Sequence, residues 1–180
     1  MAAAITGRSK ELTTVGVFLD GVPDGGRALV IEGEPGVGKT SIWLAAVGSA
    51  RDRGYRVLSA RPGGSECSWL DGIGPALVDD LPPPQRRALR VALLLEEAGD
   101  APVDQRLIAV ALLTVLREVA TASPIVLAID DVQWLDSVSA AALEFAARRI
   151  TTEPIGLLMT VRAGETALQQ ERAERVASRG

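Results

Sequence analysis

Short runs of apolar residues alternate along this chain with longer segments in which apolar residues recur every three or four positions. Such runs stand at residues 28–31, 124–129 and 155–161, and RVLSA at 56–60 is a fourth, more polar candidate strand. A strand that is apolar at successive positions is buried on both faces, which is typical of a parallel sheet covered by helices. The alternation therefore predicts the α/β class, with a mostly parallel sheet between two layers of helices.

Helical periodicity fills the intervals between these strands. The predicted helices span residues 9–19, 39–53, 107–120 and 138–150. Gly54 is expected to end the second of them, and Asp136 or Ser137 to cap the last. Between residues 65 and 104 the pattern is weakest: 77–81 and 85–97 look helical, and three prolines at 82–84 separate them because proline does not fit a helix interior.

Composition describes an ordinary globular domain and excludes several kinds of chemistry. The chain has 180 residues, of which 47% are apolar, and a net charge of −4, so it shows no basic face for nucleic acid. It has no histidine, which excludes Ser-His and Cys-His nucleophiles and histidine-ligated metals. A single cysteine, Cys67, cannot form an internal disulfide.

The longest strongly apolar stretch, 107–116, is too short to span a bilayer, and the start is unlike a secretory signal. A cytoplasmic protein without a membrane partner is expected.

The octet GEPGVGKT at residues 33–40 matches the phosphate-binding pattern GxxxxGK(S/T), between a predicted strand and a predicted helix. Backbone N–H groups can converge on a phosphate only if the loop curls tightly, which the glycines at 33, 36 and 38 allow. Lys39 would reach the β- and γ-phosphates and the Thr40 hydroxyl would ligate Mg²⁺. The alternative is a glycine-rich turn with a solvated lysine. The predicted nucleotide-binding residues of this segment are Gly33, Glu34, Pro35, Gly36, Val37, Gly38, Lys39, Thr40 and Ser41.

A pair of acids follows the strand at 124–129, and a magnesium-nucleotide site needs an acid on the strand beside the loop strand. Asp130 is the expected Mg²⁺ partner, usually through water, and Asp131 the group that orients or deprotonates an attacking water. The structural alternative is a solvated turn. Asp136 is interpreted as a helix cap rather than a site residue. Arg162, after the last strand, would sense the γ-phosphate from the same sheet edge, unless it forms a surface ion pair instead. Both Trp43 and Trp134 are expected in the core.

Three motifs occur together: GRSKEL at 7–12, GEPGVGKT at 33–40 and DDVQWLD at 130–136. Their combination resembles the ATPase domain of the large ATP-binding LuxR-type regulators. These belong to the signal-transduction ATPases with numerous domains (STAND), which are relatives of the AAA-type ATPases. The spacing of three further stretches, at 81–99, 101–120 and 139–150, resembles the same family.

This resemblance implies a three-layer, AAA/STAND-like P-loop NTPase fold, as one domain over residues 1–180. Its segments would be a GR-motif helix (1–22), a phosphate-loop unit (23–64), a helical insert (65–123), and a unit with the acid pair and sensor (124–180). It also implies that Arg8 lies near the nucleotide. Such domains exchange ADP for ATP, assemble in the ATP form and are reset by slow hydrolysis.

The chain is also expected to depart from that family. The last core strand, which flanks the loop strand, the helical lid and the DNA-binding domain are not found, so self-association or a partner chain would complete the fold. Direct DNA binding by this chain is not expected.

The leading hypothesis is a Mg-ATP/ADP-binding switch domain with weak or latent ATPase activity. One alternative is a small phosphotransferase that uses Arg86, Arg87 and Arg90 as a basic lid. The other is a non-enzymatic interaction fragment with an exposed sheet edge.

Overall fold

Four parallel strands form a single sheet in the computed structural model, which describes residues 8–61, 75–93, 95–97, 99 and 103–163. The strands are β1 (Arg27–Gly33), β2 (Arg56–Ala60), β3 (Ile125–Ile129) and β4 (Ile155–Arg162). Their order across the sheet is β1-β4-β3-β2. Every residue of β3 is buried, as are all residues of β4 before Arg162. The predicted parallel α/β architecture is confirmed.

The lateral position of β4 corrects one prediction. The strand that precedes the acid pair was expected beside the loop strand, but β4 pairs with both β1 and β3 and separates them. Hydrophobic periodicity identifies a buried strand without indicating its neighbours, because every buried parallel strand has the same apolar pattern. In the described part of the chain, β1 forms one edge of the sheet and β2 the other.

Six α-helices and two 3₁₀ turns lie among the described residues. The helices are α1 (Ser9–Gly21), α2 (Lys39–Asp52), α3 (Pro75–Asp79), α4 (Pro83–Ala92), α5 (Gln105–Ala122) and α6 (Ser137–Ala147), and the 3₁₀ turns are Val22–Asp24 and Val132–Trp134. Gly54 follows α2 with a φ of +77°, as its predicted role as terminator requires.

The triple-proline segment lies between α3 and α4 as predicted, but α4 begins within it rather than after it. Pro83 and Pro84 occupy the first turn of the helix. This position suits proline, since the first N–H groups of a helix have no partner within the helix and their loss costs little. The helix also ends at Ala92 rather than at residue 97, and α6 ends at Ala147 rather than at 150.

Two hydrophobic layers cover the sheet. On one face, α1 and α2 pack against residues of β3 and β4 that include Val126, Ala128 and Leu158. On the other face, α5 and α6 pack against the intervening strand residues, and α4 packs on α5. Trp43 is in the first layer with 2% exposure, as predicted. Trp134 is 54% exposed, so its predicted core position is wrong.

Some predictions fall on residues outside the described ranges. These are Cys67, the start of the GRSKEL motif, and the parts of the four proposed segments within 1–7, 62–74 and 164–180. No helix in the part of the chain that the structure describes is long and apolar enough to cross a membrane.

Candidate functional site

The loop between β1 and α2 curls back toward the sheet. Gly36 has a φ of +78° and Gly38 a φ of +94°, values in the left-handed region that glycine adopts without strain. The Val37 N–H donates to the Glu34 carbonyl at 3.3 Å, which closes the turn. A Cβ at Gly33 would lie 2.9 Å from the Val37 side chain, so the start of the loop is also tight. Gly36 and Gly38 thus have the backbone conformation that a phosphate-binding loop requires. Gly33 has the close contact that such a loop requires.

Lys39, the first residue of α2, folds over this loop. Its side chain is buried at 7% exposure, and Nζ donates to the carbonyl oxygens of Gly33 at 2.8 Å and Glu34 at 3.1 Å. An ammonium group has three donors. Two are directed to the main chain, and the third has no partner among the described residues. The charge is therefore held at the loop by neutral carbonyls, which leaves it available to an anion.

Asp130 brings the second half of the predicted site to the first. Its carboxylate is buried, and Oδ2 accepts from the Thr40 hydroxyl at 3.0 Å. Oδ1 accepts from the Thr160 hydroxyl at 2.7 Å. The Arg61 guanidinium donates to Oδ2 at 3.3 Å. The predicted metal pair, Thr40 and Asp130, is thus in direct contact although 90 residues separate its members in the chain.

Sheet register explains why Arg61 and Thr160 reach this carboxylate. Arg61, Asp130 and Thr160 each stand one position past the last pair of the β2–β3 and β3–β4 ladders. Residues in register on neighbouring parallel strands project to the same face, here the face that α2 covers. Neither residue is predicted from the sequence as part of the site, because a strand order is needed before the two can be placed in one row. The signal for Thr160 was a hydroxyl in an otherwise apolar strand.

Asp131 has an unusual backbone. Its φ of +56° is the only positive value at a non-glycine residue in the described ranges. The N–H of Asp131 donates to the Thr160 hydroxyl at 2.7 Å, and Oδ1 accepts from the Gln133 amide at 2.9 Å. Left-handed backbone at a non-glycine residue costs free energy and persists where neighbouring contacts fix it. Here the contact with Thr160 fixes it.

Arg162 ends β4 beside this acid. Its Nε lies 3.8 Å from Asp131 Oδ1, and its guanidinium carbon is 5.7 Å from the centre of the exposed Trp134 ring. Both charged residues line an open cavity of about 230 Å³ in front of the loop. The residues lining the cavity are Pro35, Gly36, Gly38, Lys39, Thr40, Asp131 and Arg162. Of the remaining predicted loop residues, Glu34, Val37 and Ser41 are exposed and do not line the cavity.

Arg8, at the N-terminus of α1, contacts the phosphate loop from outside. Its Nη2 donates to the Val37 carbonyl, and the same nitrogen is 3.6 Å from the place that a Cβ would take at Gly38. Nη1 pairs with Glu11 at 3.1 Å. The N-terminus of α1 therefore places the positive charge of Arg8 against the phosphate loop. The position of Arg8 in the sequence would not by itself indicate this contact.

Asp136 is a helix cap and stands outside the cavity lining. One carboxylate oxygen accepts from the N–H groups of Val138 and Ser139, both at 2.9 Å. Partial burial raises the pKa of Asp136, but the hydrogen bonds from the Ser139 hydroxyl and from these N–H groups outweigh it, so the pKa lies below its ordinary value. The prediction that this acid has a structural role is confirmed.

Comparison with known proteins agrees with this geometry. A profile of the AAA ATPase domain matches residues 4–159. The chain belongs to the AAA ATPase domain family. An AAA ATPase domain is a nucleotide-binding P-loop module.

One curated relative extends over most of the chain. It is an uncharacterized protein of Rhizobium meliloti (strain 1021), 27% identical over 193 residues. The match covers 90% of this AAA ATPase domain but 19% of the Rhizobium protein. The chain thus spans about a fifth of the length of that relative.

Proposed function

We propose that this AAA ATPase domain binds Mg-ATP and Mg-ADP and acts as a nucleotide-dependent switch with slow hydrolysis, in a regulator of the STAND, LuxR-type kind. The observation that supports it most directly is the 3.0 Å contact between the Thr40 hydroxyl and Asp130. It lies at the end of the loop whose first carbonyl Lys39 binds. The preference for adenine and the regulatory setting rest on the family resemblance.

The donor set fits magnesium bound with a nucleotide. No group of three or more acidic or cysteine side chains that could enclose a metal occurs among the described residues. Mg²⁺ at a triphosphate needs no such cage, because it keeps several waters and takes its other ligands from the phosphates and one or two oxygen-bearing side chains. Thr40 would hold the ion directly and Asp130 through water. When bound, the ion neutralises phosphate charge and aligns the triphosphate.

The remaining roles belong to the residues that line the cavity. The loop N–H groups and the start of α2 would bind the β-phosphate, and Lys39 would turn its free donor toward the β- and γ-oxygens. Asp131 would orient the attacking water, since its strained backbone holds the carboxylate at the cavity. Arg162 would exchange its loose contact with Asp131 for the γ-phosphate and so distinguish ATP from ADP.

The phosphotransferase alternative receives no support from its proposed lid. Arg90 pairs with Asp79 at 2.8 Å, and Arg86 donates to the carbonyl of the same residue. Arg87 lies 3.8 Å from Glu96. These arginines therefore join α3 to α4 and the segment after it, and we do not assign them to a substrate.

Nucleotide titration of the purified chain tests the proposal. We expect Mg-dependent binding of fluorescent ATP and ADP analogues. Lys39→Ala should weaken triphosphate binding about 10- to 150-fold, because a charge-assisted contact is worth about 1.5–3 kcal/mol. Lys10→Ala, which removes the other lysine of the chain from the exposed surface of α1, is the matched control and should bind normally.

Phosphate release and sedimentation complete the experiment. Asp131→Asn should retain ATP binding and lose most of the hydrolysis, and ATP should promote self-association that ADP does not. If magnesium has no effect on binding, or if Lys39→Ala binds as the wild type does, the nucleotide site is wrongly assigned. Self-association that ignores the nucleotide would instead favour the non-enzymatic interaction fragment.

A further inference from the structure

Arg61, the residue that follows β2, has a position that none of the roles above explains. Its Nη2 lies 3.3 Å from Asp130 Oδ2, while its guanidinium carbon is 5.7 Å from the centre of the Trp43 ring. The Arg61 side chain is 56% exposed, whereas the carboxylate it pairs with is buried. A partly exposed cation is thus paired with a buried acid at the base of the nucleotide site.

The contacts of Asp130 show what this pairing does. A carboxylate offers about four lone-pair positions. The Thr160 hydroxyl uses one on Oδ1, and Thr40 and Arg61 use both positions on Oδ2. Oδ2 is the oxygen that faces Thr40, which is the proposed metal ligand. A water bound to the ion can donate to this oxygen only if one of the two present donors withdraws.

Arg61 is the donor that can withdraw. Thr160 is fully buried, and Thr40 belongs to the first turn of α2, where its hydroxyl is needed for the ion itself. Arg61 carries a positive charge that an arriving divalent cation repels. It would also keep a partner after withdrawing, because its guanidinium already lies over the buried Trp43 ring, within the distance at which a guanidinium binds an aromatic face.

We propose that Arg61 is an internal counter-ion of Asp130. It occupies the carboxylate while the site lacks a metal, and it leaves the carboxylate but keeps its contact with Trp43 when the Mg-nucleotide complex binds. Arg61 therefore opposes magnesium and sets how strongly the ion enhances nucleotide binding. This inference rests on the proposed function of the site, since it assumes that Asp130 serves a nucleotide-bound magnesium.

The quantity that tests the proposal is the Kd of ADP in EDTA divided by the Kd of ADP in saturating Mg²⁺. ADP is used so that a contact with the γ-phosphate cannot contribute. Arg61→Gln should raise this ratio about two- to fivefold over the wild type, the range expected for loss of a partly exposed ion pair. Arg61→Lys keeps the positive charge and should return the ratio toward the wild-type value.

Arg53→Gln is the matched control. It removes another partly exposed arginine, which pairs with Asp20 at 2.8 Å and lies beyond the C-terminal end of α2, away from the loop. Its ratio should equal that of the wild type. Thermal unfolding of each variant in EDTA reports whether the chain is folded, and if Arg61→Gln is not, Arg61→Ala and Arg61→Lys supply the comparison.

Three outcomes would overturn the inference, and they are distinguishable. An unchanged ratio in Arg61→Gln means that the ion pair does not compete with the metal. A lowered ratio means that Arg61 instead positions Asp130 for magnesium. A wild-type ratio of one means that magnesium does not act at this site at all, and then the proposed function fails together with the counter-ion role.

Discussion

A single hydroxyl, that of Thr160, joins the two acids of the site. It donates to the Asp130 carboxylate and accepts from the Asp131 N–H, both at 2.7 Å, in a position without solvent access. The first contact orients the proposed metal partner, and the second holds the left-handed backbone of the proposed water-orienting acid. Thr160 is thus a positioning residue rather than a group that touches the nucleotide.

Thr160→Val should reveal this role, because it keeps the shape of the side chain and removes both hydrogen bonds. The partly buried Asp131 N–H and the buried Asp130 carboxylate oxygen each lose a partner, so we expect the free energy of unfolding to fall by about 1–3 kcal/mol in urea titration. Thr160→Ser retains the hydroxyl. Despite the lost methyl group, it should therefore show the Mg-dependent ADP binding that Thr160→Val loses. If valine and serine bind ADP equally well, the hydroxyl does not position the acids.

Individual residues were predictable where their chemistry is carried by a local motif. Lys39 folds over the loop and Thr40 contacts Asp130, as the loop and acid patterns indicate. Trp134 was misplaced because a large apolar side chain is usually buried, whereas here it covers the Arg162 guanidinium at the surface. Arg61 was not found at all, since nothing in its own sequence neighbourhood distinguishes it from a solvated arginine.

At the scale of the elements, α6 shows how one capping residue couples helix stability to pH. Asp136→Ala should destabilise the protein by about 1 kcal/mol at neutral pH, since the N–H groups of Val138 and Ser139 lose their acceptor. The pKa of Asp136 is lower in the folded chain than its ordinary value. The stabilisation is therefore fully present above about pH 4, the range of an unfolded aspartate, and is lost as pH falls through the lowered folded-state pKa.

Urea unfolding between pH 7 and pH 3 checks this expectation. The difference in the free energy of unfolding between the wild type and Asp136→Ala should become smaller below about pH 4. Asp136→Asn is the control, because asparagine caps helices as well as aspartate does but does not titrate. A difference that stays constant down to pH 3 would show that the carboxylate charge contributes nothing to the cap.

Strands and helices were predictable from periodicity to within a few residues, and their arrangement was not. β2 begins and ends where RVLSA indicated, because its apolar residues and flanking breakers are local signals. The order β1-β4-β3-β2 depends on pairing between strands that are distant in the chain, such as Arg27 with Gly156 and Arg56 with Ile125, which no local pattern encodes. The start of α4 was missed because proline is excluded from helix interiors and yet favoured in their first turn.

At the scale of the whole molecule, Gly156 in the inner strand β4 sets how closely α1 approaches the sheet. A Cβ at Gly156 would lie 2.7 Å from the Val22 side chain and 2.8 Å from that of Phe18. Both belong to the layer that includes α1, and α1 brings Arg8 to the phosphate loop. The tight packing at Gly156 therefore supports the site from its outer side.

Gly156→Val should destabilise the chain by about 1–3 kcal/mol in urea unfolding, because extra volume in a packed layer forces side chains from their preferred rotamers. Gly48→Ala is the matched control. This glycine lies in α2 with no atom within 4 Å of the added Cβ, so alanine should stabilise the helix by about 0.5–1 kcal/mol. Equal stabilities for Gly156→Val and the wild type would mean that α1 shifts without cost.

The central position of β4 also has a consequence for synthesis of the chain. The phosphate loop and the acid pair are both complete by residue 131, but within the sheet the strands that carry them, β1 and β3, are not neighbours and each pairs with β4. On the ribosome, a nascent chain of 150 residues would contain both motifs without the strand that aligns them. We therefore expect the growing polypeptide to acquire nucleotide affinity in one late step, when residues 155–162 have left the exit tunnel.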